Sequence, residues 1–533
     1  MKTFHTTGVC VPDKHYMVNL SGRMAQIKAM IDAGKYFTIN RARQYGKTTT
    51  LTALANYLKD DYLVIEMDFQ DIGNSSFLHE GEFCKTFSRV LLAFVEDNDI
   101  LAPDTIISQF DELVRRTASD IKFDELFTVF KNWCKLSEKP IVLTIDEVDS
   151  ATNNQVFLDF LAQLRSLYLK REKNPRVKTF LSVILAGVTD VKNLKQKLRP
   201  EDKHKFNSPW NIAADFEVDM SFTPDDIVGM LQDYEADHHT GMAVDRIAQA
   251  IYDYTGGYPF LVSRMCQYLD TKLPGTERFP DKENAWTLEG VNEAARLIVA
   301  ESNTLFETMA GKLYDYPELR SIIKRILFNG EDIPLNVLEP YIQQAVMYGF
   351  IKGLDGKIVI ANRIFETVFY NLFLTSQEIQ QTDIWKMSNK EKHQFIENDR
   401  LNMEKILERY VAIFDDIYGD QGEKFKEEEG RKYFLLFLKP IINGTGNYYI
   451  ESRTRNNERT DIIIDYIGTQ YIVEVKLWHG KAYNATGEQQ LIDYLEHYHL
   501  DKGYMLTYSF NKNKKIGVHH VQLGDKELIE AIV

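Results

Sequence analysis

The stretch that decides the fold is Lys35–Leu54, KYFTINRARQYGKTTTLTAL. A short β-prone run, Tyr36–Asn40, leads into a polar loop, and a helix-forming segment follows it. The loop ends in Gly46-Lys47-Thr48. A strand, a loop and a helix in this order bring backbone N–H groups to the positive end of a helix dipole, which is an arrangement that binds phosphate. The stretch therefore predicts a nucleotide-phosphate site at the end of a buried strand.

The loop departs from the general phosphate-loop pattern G-x-x-x-x-G-K-[ST], because Arg41 occupies the position of the first glycine. In that pattern, Lys47 would contact the β- and γ-phosphates and the Thr48 hydroxyl would ligate magnesium. The other loop residues expected at the nucleotide are Arg43, Gln44, Tyr45, Gly46 and Thr49. An ordinary turn before a helix is the alternative for a Gly-Lys-Thr tripeptide alone, so the interpretation depends on the rest of the chain.

The overall composition limits the classes of protein to which the chain can belong. With 533 residues it is too long for one hydrophobic core, which indicates roughly three or four domains. Its 44% hydrophobic and 26% charged residues are typical of a soluble globular protein, and its net charge of −15 argues against a general affinity for nucleic acid. No amino-terminal signal and no apolar run of about 18 residues is evident, so we expect neither secretion nor a membrane span. The four cysteines form no C-x-x-C pair and fit a reducing cytoplasm.

A second strand carries acidic residues at its end. The run Pro140–Ile145 is almost continuously apolar, as expected of a parallel strand buried on both faces, and Asp146 and Glu147 follow it. Ligands bind at the carboxyl ends of strands in open α/β sheets. We expect Asp146 to hold magnesium through water and Glu147 to polarise the water that attacks the γ-phosphate. An acidic cap at the end of the strand is the alternative. The nucleotide site is favoured, because Asp146 and Glu147 follow Lys47 at a distance in the chain that includes one further strand, 62–69.

Two further motifs complete the candidate nucleotide site. A third apolar strand, 180–187, is followed by Thr189, whose hydroxyl can sense a γ-phosphate from a neighbouring strand. The alternative for this residue is a cap for the next helix. Later in the chain, Gly257-Tyr258-Pro259 precedes an apolar helix.

The phosphate loop with its first glycine replaced, the I-D-E strand and the later T-G-G-Y-P-F motif together resemble the AAA-like ATPases, in particular their STAND-type and archaeal-ATPase branch. The resemblance covers residues 1–300 and implies an α/β P-loop NTPase with a parallel sheet and a helical lid. It also implies ATP and Mg²⁺ as ligands, with Pro259 facing the nucleotide. Arg41 is compatible with the resemblance, since this subgroup often carries R-x-R-x-x-G-K. No arginine finger is evident. Hydrolysis could be complete within one chain, or it could need a partner subunit in a homo-oligomer or a nucleotide-gated self-association.

Residues 301–375 predict a winged-helix-like module. Two short amphipathic helices, Leu319–Asn329 and Val337–Gly349, are followed by a hairpin that turns at an Asp-Gly pair. The functional interpretation of such a module is DNA contact, and the alternative is a docking or lid module. We favour the docking module, because the second helix lacks clustered Lys and Arg. The polar residues 376–402 that follow are the best linker candidate.

Residues 403–533 predict a second α/β domain with the order helix, strand, strand, strand, helix, strand. Its chemical centre is Asp461 and the segment Glu474-Val475-Lys476, on adjacent strands joined by a hairpin. Because side chains alternate along a strand, Glu474 and Lys476 share one face, and Asp461 supplies a second carboxylate. Two carboxylates and the Val475 carbonyl form an oxygen-rich site suited to magnesium. Lys476 is then placed to orient or deprotonate an attacking water.

Two predicted helices flank these strands. Glu429 on the first helix is placed to reach the same cluster, with Glu428 as the alternative, and the second helix carries Q-L-x-x-Y-L from Gln490 to Leu495. In this order, the residues resemble the PD-(D/E)XK nuclease superfamily over residues 400–533. The resemblance implies a restriction-endonuclease-like fold in which Glu429, Gln490 and the D…ExK residues serve a Mg²⁺-dependent nuclease. A salt-bridged surface hairpin is the alternative.

The whole chain thus resembles bacterial AAA-ATPase-like proteins that carry a carboxyl-terminal PD-(D/E)XK nuclease-like domain. The resemblance implies a cytoplasmic ATP-binding enzyme that controls Mg²⁺-dependent hydrolysis of DNA or RNA, by analogy in defence or mobile-element biology. The alternative is a nucleotide-dependent regulatory protein whose nuclease-like domain only binds nucleic acid or a protein partner. The intact Asp461, Glu474 and Lys476 favour the nuclease, and the acidic net charge favours the regulator.

Overall fold

The structure is a computed structural model. It describes residues 2–152, 154–188, 209–329, 331–376, 380–418, 425, 427–442, 445–450, 462–467, 469–478, 488–489, 491–492, 495–496, 500–511 and 514–533. The chain divides into two compact units. The first comprises Met1–His239, Gly257–Gln267 and Met347–Gly349, and the second comprises Thr240–Gly256, Tyr268–Val346 and Phe350–Val533. The domain boundaries predicted from the sequence (1–300, 301–375, 376–402 and 403–533) stay predictions.

The helices of both units follow in chain order. They are α1 (Ser21–Asp32), α2 (Lys47–Leu58), α3 (Glu80–Asp97), α4 (Asp104–Arg115), α5 (Phe123–Leu136), α6 (Gln155–Lys173), α7 (Pro224–His238), α8 (Val244–Thr255), α9 (Pro259–Gln267), α10 (Lys282–Ala285), α11 (Leu288–Val299), α12 (Thr304–Asp315), α13 (Pro317–Asn329), α14 (Pro340–Met347), α15 (Arg363–Leu374), α16 (Asp383–Glu391), α17 (Met403–Tyr418) and α18 (Glu427–Ile442). Within the described part of the chain, none of these helices is long and apolar enough to cross a membrane.

The first unit is built on a four-stranded parallel sheet. Its strands are β1 (Phe37–Asn40), β2 (Leu63–Asp68), β3 (Ile141–Asp146) and β4 (Ser182–Gly187), in the spatial order β1-β4-β3-β2. Strand β4 therefore lies between the strand that leads into the phosphate loop and the strand that ends in acids. Every residue of β3 and β4 is buried, as their apolar runs predict. The predicted α/β class with a parallel sheet is confirmed.

Two hydrophobic cores cover opposite faces of this sheet. Successive residues of β3 alternate between them, with Leu143 in one core and Val142 in the other. The larger core contains residues of α3 to α6, including a cluster of phenylalanines around Phe160. The smaller core contains residues of α1 and α2, such as Ile27 and Leu54. Helix α2, at whose start the phosphate loop ends, is thus packed against the sheet.

The second unit contains a six-stranded mixed sheet in the order β13-β14-β12-β11-β10-β9. Its strands are β9 (Gly446–Ile450), β10 (Ile462–Tyr466), β11 (Thr469–Leu477), β12 (Lys502–Tyr508), β13 (Gly517–Leu523) and β14 (Lys526–Ile532). Strands β9, β10 and β11 form an antiparallel meander, and β12 pairs with β11 in parallel. The described residues within 488–496 are helical. The order of helix, three strands, helical segment and strand matches the expectation, while its assignment to the endonuclease-like fold stays a prediction.

The segment predicted as winged-helix-like has the expected elements. Helices α13 and α14 precede a hairpin of β5 (Ile351–Leu354) and β6 (Lys357–Ile360). Asp355 and Gly356 at its tip have φ of 50° and 76°, as in a type I′ turn. Helix α13 packs against α18, and α15 packs against β9. These contacts lie within the second unit, and the choice between DNA contact and a docking module stays a prediction.

Two segments fold differently from the sequence-based expectation. Helix α18 runs through Pro440, a residue type that ordinarily ends a helix, and the following residues to Ile442 are buried. A proline removes one backbone hydrogen bond, and burial of this last turn compensates for that loss. In the predicted linker 376–402, α16 packs against α18, and the Ser388 hydroxyl donates to the carbonyl of Phe437. A short hairpin follows, formed by β7 (Ile396–Glu397) and β8 (Arg400–Leu401).

Candidate nucleotide site and carboxyl-terminal polar cluster

The phosphate loop lies between β1 and α2. Gly46 caps α2 with φ of 76°, a conformation that glycine adopts without steric cost. Lys47 begins the helix and is only 7% exposed, and its Nζ donates to the carbonyls of Arg41 and Ala42 at 3.2 and 3.1 Å. The ammonium group is therefore held within the curve of the loop.

The charge of Lys47 depends on nearby carboxylates. Burial lowers the pKa of the Lys47 ammonium, whereas Glu147, Asp149 and Asp146 raise it. The three acids thus favour the charged form, which is the form that binds an anionic phosphate. Asp149 was not among the predicted site residues, although it is the third acid of the I-D-E-V-D segment. Its Oδ2 accepts the N–H of Val188 at 2.7 Å, so Asp149 ties the end of β3 to the end of β4.

Thr48 and Asp146 are brought together by the fold. The Thr48 hydroxyl donates to Asp146 Oδ2 at 2.6 Å, although the two residues are 98 positions apart in the chain. Asp146 is buried at the end of β3, and Thr48 belongs to the first turn of α2. A hydroxyl and a carboxylate side by side are hard oxygen donors of the kind that Mg²⁺ prefers, so this donor set fits the ion.

Glu147 adopts a strained backbone conformation beside this pair. Its φ is 51°, which is uncommon for a residue with a side chain, and its N–H donates to Asp146 Oδ1 at 2.8 Å. Burial and the neighbouring Asp146 raise the pKa of the Glu147 carboxyl, and Lys47 lowers it. A carboxyl with a raised pKa beside a buried lysine is suited to general-base chemistry.

Two other predicted residues contact the segment that was expected to form the lid. The hydroxyl of Tyr45 hydrogen-bonds with the hydroxyl of Ser221 at 2.8 Å, and its ring packs edge-on against Tyr258 at 4.7 Å. The Tyr258 hydroxyl donates to the backbone carbonyl of Arg43, whose side chain is exposed. Pro259 follows as the buried first residue of α9. The Gly-Tyr-Pro motif is therefore attached to the phosphate loop within the first unit.

The remaining predicted nucleotide residues differ in placement. Gln44 has a positive φ of 57°, which helps to reverse the chain in the loop. The hydroxyl of Thr49 accepts the N–H of Cys10 at 3.2 Å, so it contacts the amino-terminal segment. Thr189 lies outside the described residues, and its contact with the γ-phosphate stays a prediction.

A cavity of about 410 Å³ opens beside Thr48 and Asp146. Glu66 and Asp68 of β2 and Asp97 of α3 contribute acidic groups to its lining, and Val90, Ala93 and Phe94 contribute apolar ones. Burial raises the pKa of the Glu66 carboxyl to about 7. Sequence analysis did not identify Glu66, because a single acid in an apolar strand carries no signal of its surroundings.

Replacing Glu66 by glutamine is expected to change how stability depends on pH. The pKa of Glu66 in the folded protein, about 7, lies above the value of 4.5 for an exposed glutamate, so the stability that this group contributes is present at low pH and lost as the pH rises towards 7. Glu66→Gln should therefore raise the free energy of unfolding by about 1–3 kcal/mol at pH 8 and leave it nearly unchanged at pH 4.5. Urea denaturation at the two pH values measures this difference. The exposed Glu138→Gln is the control, and an equal effect of Glu66→Gln at both pH values would contradict the burial argument.

Comparison with known proteins decides the family. Residues 8–371, more than half of the chain, match the model of the AAA-like domain family. The chain belongs to the AAA-like domain family. This membership, together with the arrangement of Lys47, Thr48 and Asp146, supports ATP binding by an AAA-like ATPase site. The AAA-ATPase-like part of the sequence-based prediction is confirmed.

Solved structures resemble this AAA-like protein at low sequence identity. They include the Walker-type ATPase PABY2304 of Pyrococcus abyssi (13% identity, 69% of this chain and 99% of that chain, TM-score 0.47). Others are Cdc6p from Pyrobaculum aerophilum (14%, 69% and 96%, TM-score 0.32) and the ORC2 protein of Aeropyrum pernix in ADPNP-ADP complexes (12%, 69% and 96%, TM-score 0.37). A comparison with curated proteins found no match.

A buried ion pair lies on β11 of the mixed sheet. Lys476 Nζ and Glu474 Oε1 are 2.8 Å apart, and the two side chains are 8% and 1% exposed. Ile472 lies two residues before Glu474 on the same strand, so both side chains are on one face of the sheet. Ile472 packs in one cluster with Leu491 and Leu495 of the helical segment. The ion pair therefore shares the sheet face that this segment covers.

The ion pair is part of a longer row of buried polar groups. The register places Lys476 beside Thr507 of β12. The Thr507 hydroxyl donates to Glu530 Oε1 of β14 at 2.8 Å, and both residues are buried. Burial raises the pKa of Glu488, at the start of the helical segment, and Glu530 adds to that shift. Sequence analysis missed Thr507 and Glu530, because their proximity depends on the parallel pairing of β12 with β14.

The other predicted residues of this domain are less completely placed. Asp461 and Gln490 lie outside the described residues, as does the side chain of Glu428. Glu429 is partly buried near the start of α18, and the neighbouring Gly430 carbonyl accepts the hydroxyl of Tyr508 at 2.7 Å. Tyr508 pairs with Leu477, so this end of α18 lies level with the carboxyl end of β11.

The structure gives no separate indication of the metal in this domain. Among the residues that it describes, no group of three or more His, Cys, Asp or Glu side chains could hold a metal ion. The predicted set consists of Asp461, Glu474 and the Val475 carbonyl, and only the last two belong to described residues. The Glu474 carboxylate and the Val475 carbonyl are both hard oxygen donors of the kind that fits Mg²⁺.

Proposed function

We propose that this AAA-like protein uses ATP to regulate Mg²⁺-dependent hydrolysis of phosphodiester bonds by its carboxyl-terminal domain. The observation that carries the nuclease half is the buried Glu474–Lys476 pair on β11. The pair lies on the last strand of the β9–β11 meander, and this strand has a parallel neighbour, β12. Burying both charges carries a desolvation cost, which a salt-bridged hairpin on the surface would avoid. The burial therefore favours a chemical site over a surface hairpin.

In the proposed nuclease site, Asp461, Glu474 and the Val475 carbonyl would hold Mg²⁺. The bound ion would polarise the scissile phosphate and stabilise charge at the oxygens of the displacement. The Lys476 ammonium compensates the Glu474 charge and would orient the attacking water. Glu429 and Gln490 would position the water and the backbone of the nucleic acid.

In the ATP site, Lys47 would bind the β- and γ-phosphates, and Thr48 and Asp146 would hold Mg²⁺. Glu147 would take a proton from the attacking water, since its raised pKa makes it a stronger base than an ordinary carboxylate. Arg43, Gln44, Tyr45, Gly46 and Thr49 would surround the nucleotide together with Thr189 and Pro259. Thr189 is the proposed sensor of the γ-phosphate.

Replacing Glu147 by glutamine is expected to separate ATP hydrolysis from ATP binding. Loss of the general base should slow hydrolysis by about 10²–10⁴-fold, while the affinity for ATP changes by less than about threefold, because Lys47 remains in place. Phosphate release under single-turnover conditions and calorimetric titration measure the two quantities. The exposed Glu138→Gln should change neither, and undiminished hydrolysis by Glu147→Gln would exclude Glu147 as the base.

A regulatory protein is the alternative function. Glu474 and Lys476 are almost fully buried, so the face that carries them offers little surface to a polymer. The net charge of −15 also disfavours general attraction to nucleic acid. In this alternative, the carboxyl-terminal domain binds nucleic acid or a protein partner without cleaving it.

Nuclease assays distinguish the two functions. Linear, circular and single-stranded DNA and single-stranded RNA are incubated with the protein and Mg²⁺, with ATP, with ADP and without nucleotide. We expect cleavage that requires Mg²⁺ and changes with ATP. Light scattering under the same conditions tests the proposed homo-oligomer or nucleotide-gated self-association.

A further inference from the structure

The side chain of Arg41 contacts Val218 and Phe216, whereas its backbone carbonyl accepts the ammonium group of Lys47. Its Nη2 donates to the carbonyl of Val218 at 2.9 Å, and its Nη1 donates to the carbonyl of Asn40 at 2.9 Å. The guanidinium also lies over the ring of Phe216, 5.4 Å from its centroid. The residue that replaces the first glycine of the phosphate loop thus contacts a segment far along the chain.

That segment, here named the edge segment, comprises residues 214–222. It begins beside β1, where Phe37 forms a parallel bridge with Ala214. The Ala214 N–H donates to the carbonyl of Tyr36 at 2.8 Å, and the rings of Phe37 and Phe216 stack at 5.7 Å. The edge segment therefore runs beside the strand that leads into the phosphate loop.

The far end of the edge segment is held by two more side chains. Arg23 donates to the carbonyls of Asp219 and Ser221 at 3.1 and 3.3 Å. Tyr45, from the phosphate loop, hydrogen-bonds with the Ser221 hydroxyl. Arg41 and Tyr45 belong to the loop, whereas Arg23 belongs to α1, so only two of the three anchors can move with the loop.

The edge segment connects directly to α7 and to the Gly-Tyr-Pro motif. The Phe222 N–H donates to the carbonyl of Gly257 at 2.8 Å, and Thr223 caps α7. A side chain at Gly257 would lie 2.0 Å from the Phe222 carbonyl oxygen, so the backbones are in close contact. The Tyr258 hydroxyl donates a hydrogen bond to the Arg43 carbonyl in the phosphate loop. A closed ring of contacts thus joins the loop, the edge segment and the motif.

We infer that Arg41 is a positioning residue that couples the phosphate loop to the edge segment and to the start of α7. A glycine at this position has no side chain with which to hold Val218 or Phe216. When bound ATP restricts the motion of the loop, the contacts of Arg41 with Val218 and Phe216 restrict the motion of the edge segment as well. The inference deepens the ATP half of the proposed function and is independent of the nuclease half.

Hydrogen exchange of the full chain with and without ATP tests this coupling. In the wild type, ATP should slow exchange in peptides that cover residues 214–231 by about tenfold or more. Arg41→Ala should lose this ATP-induced slowing, and its affinities for ATP and ADP should weaken by the same factor, about tenfold or less. Arg41→Lys, which can still donate to the Val218 carbonyl, should retain part of the slowing.

Arg23→Ala is the matched control, because it removes an anchor of the same segment that lies outside the loop. Exchange should be faster in this variant without ATP, but the slowing on addition of ATP should persist. The inference is overturned if ATP does not slow exchange in the wild type, if Arg41→Ala keeps the full slowing, or if it loses affinity for ATP far more than for ADP. The last result would assign Arg41 to the γ-phosphate. Failure of the wild type to bind ATP in calorimetry would instead reject the ATP site itself.

Discussion

Lys47→Ala is expected to abolish measurable ATP binding. The Lys47 ammonium lies within the curve of the phosphate loop, and three carboxylates stabilise its charge. Its removal deletes charge-assisted contacts with two phosphates, each worth about 1.5–3 kcal/mol, which corresponds to a loss of roughly 10²–10⁴-fold in affinity. The remaining acids would then face the anionic ligand without a cation between them. Calorimetric titration with ATP measures the loss.

The control for this variant is Lys59→Ala. Lys59 is exposed next to the last residue of α2, so its replacement removes the same charge far from the loop. This control should bind ATP with wild-type affinity, and circular dichroism should show that both variants are folded. Unchanged affinity in Lys47→Ala would remove the phosphate-loop assignment.

The second large effect is expected at Lys476. Lys476→Ala should abolish cleavage by the proposed nuclease site, because it removes the group that orients the attacking water. It should also destabilise the second unit by about 3–5 kcal/mol, since Glu474 would remain buried with its charge uncompensated. Loss of cleavage in this variant alone could therefore result from unfolding.

A double variant separates these two effects. Glu474→Gln with Lys476→Met removes both charges at similar volume, which is expected to change stability by about 1 kcal/mol or less while still preventing cleavage. The matched control is Lys502→Met with Glu527→Gln, an exposed ion pair of 3.3 Å on the same sheet. Its removal should cost less than about 1 kcal/mol and leave cleavage intact. Thermal unfolding and cleavage are measured on the same samples.

The parallel sheet of the first unit could be predicted because its two central strands are buried on both faces. Ile141–Asp146 and Ser182–Gly187 are almost continuously apolar, polar residues lie at or just beyond their carboxyl ends, and both form central strands. The sequence could not show where the Arg41 side chain would bind. Its acceptor, the carbonyl of Val218, is brought close only by tertiary structure.

The mixed sheet of the second unit could also be predicted only in part from the sequence. The meander and β12 follow from apolar runs and turn residues, but the hairpin of β13 and β14 was missed. Strand β13 is partly exposed along most of its length, so it lacks the apolar pattern of a buried strand. The buried row that joins Lys476 to Thr507 and Glu530 could not be predicted, because it requires the order of three strands.

Cleavage by the full-length protein in Mg²⁺ tests the central claim most directly. Wild type, Lys47→Ala and the Glu474→Gln/Lys476→Met double variant are compared with ATP and without nucleotide, on the substrates named above. We predict that the wild type cleaves at a rate that changes about tenfold or more with ATP, that Lys47→Ala does not respond to ATP, and that the double variant does not cleave. Equal cleavage by the wild type and the folded double variant, or none by either, would contradict an ATP-regulated nuclease.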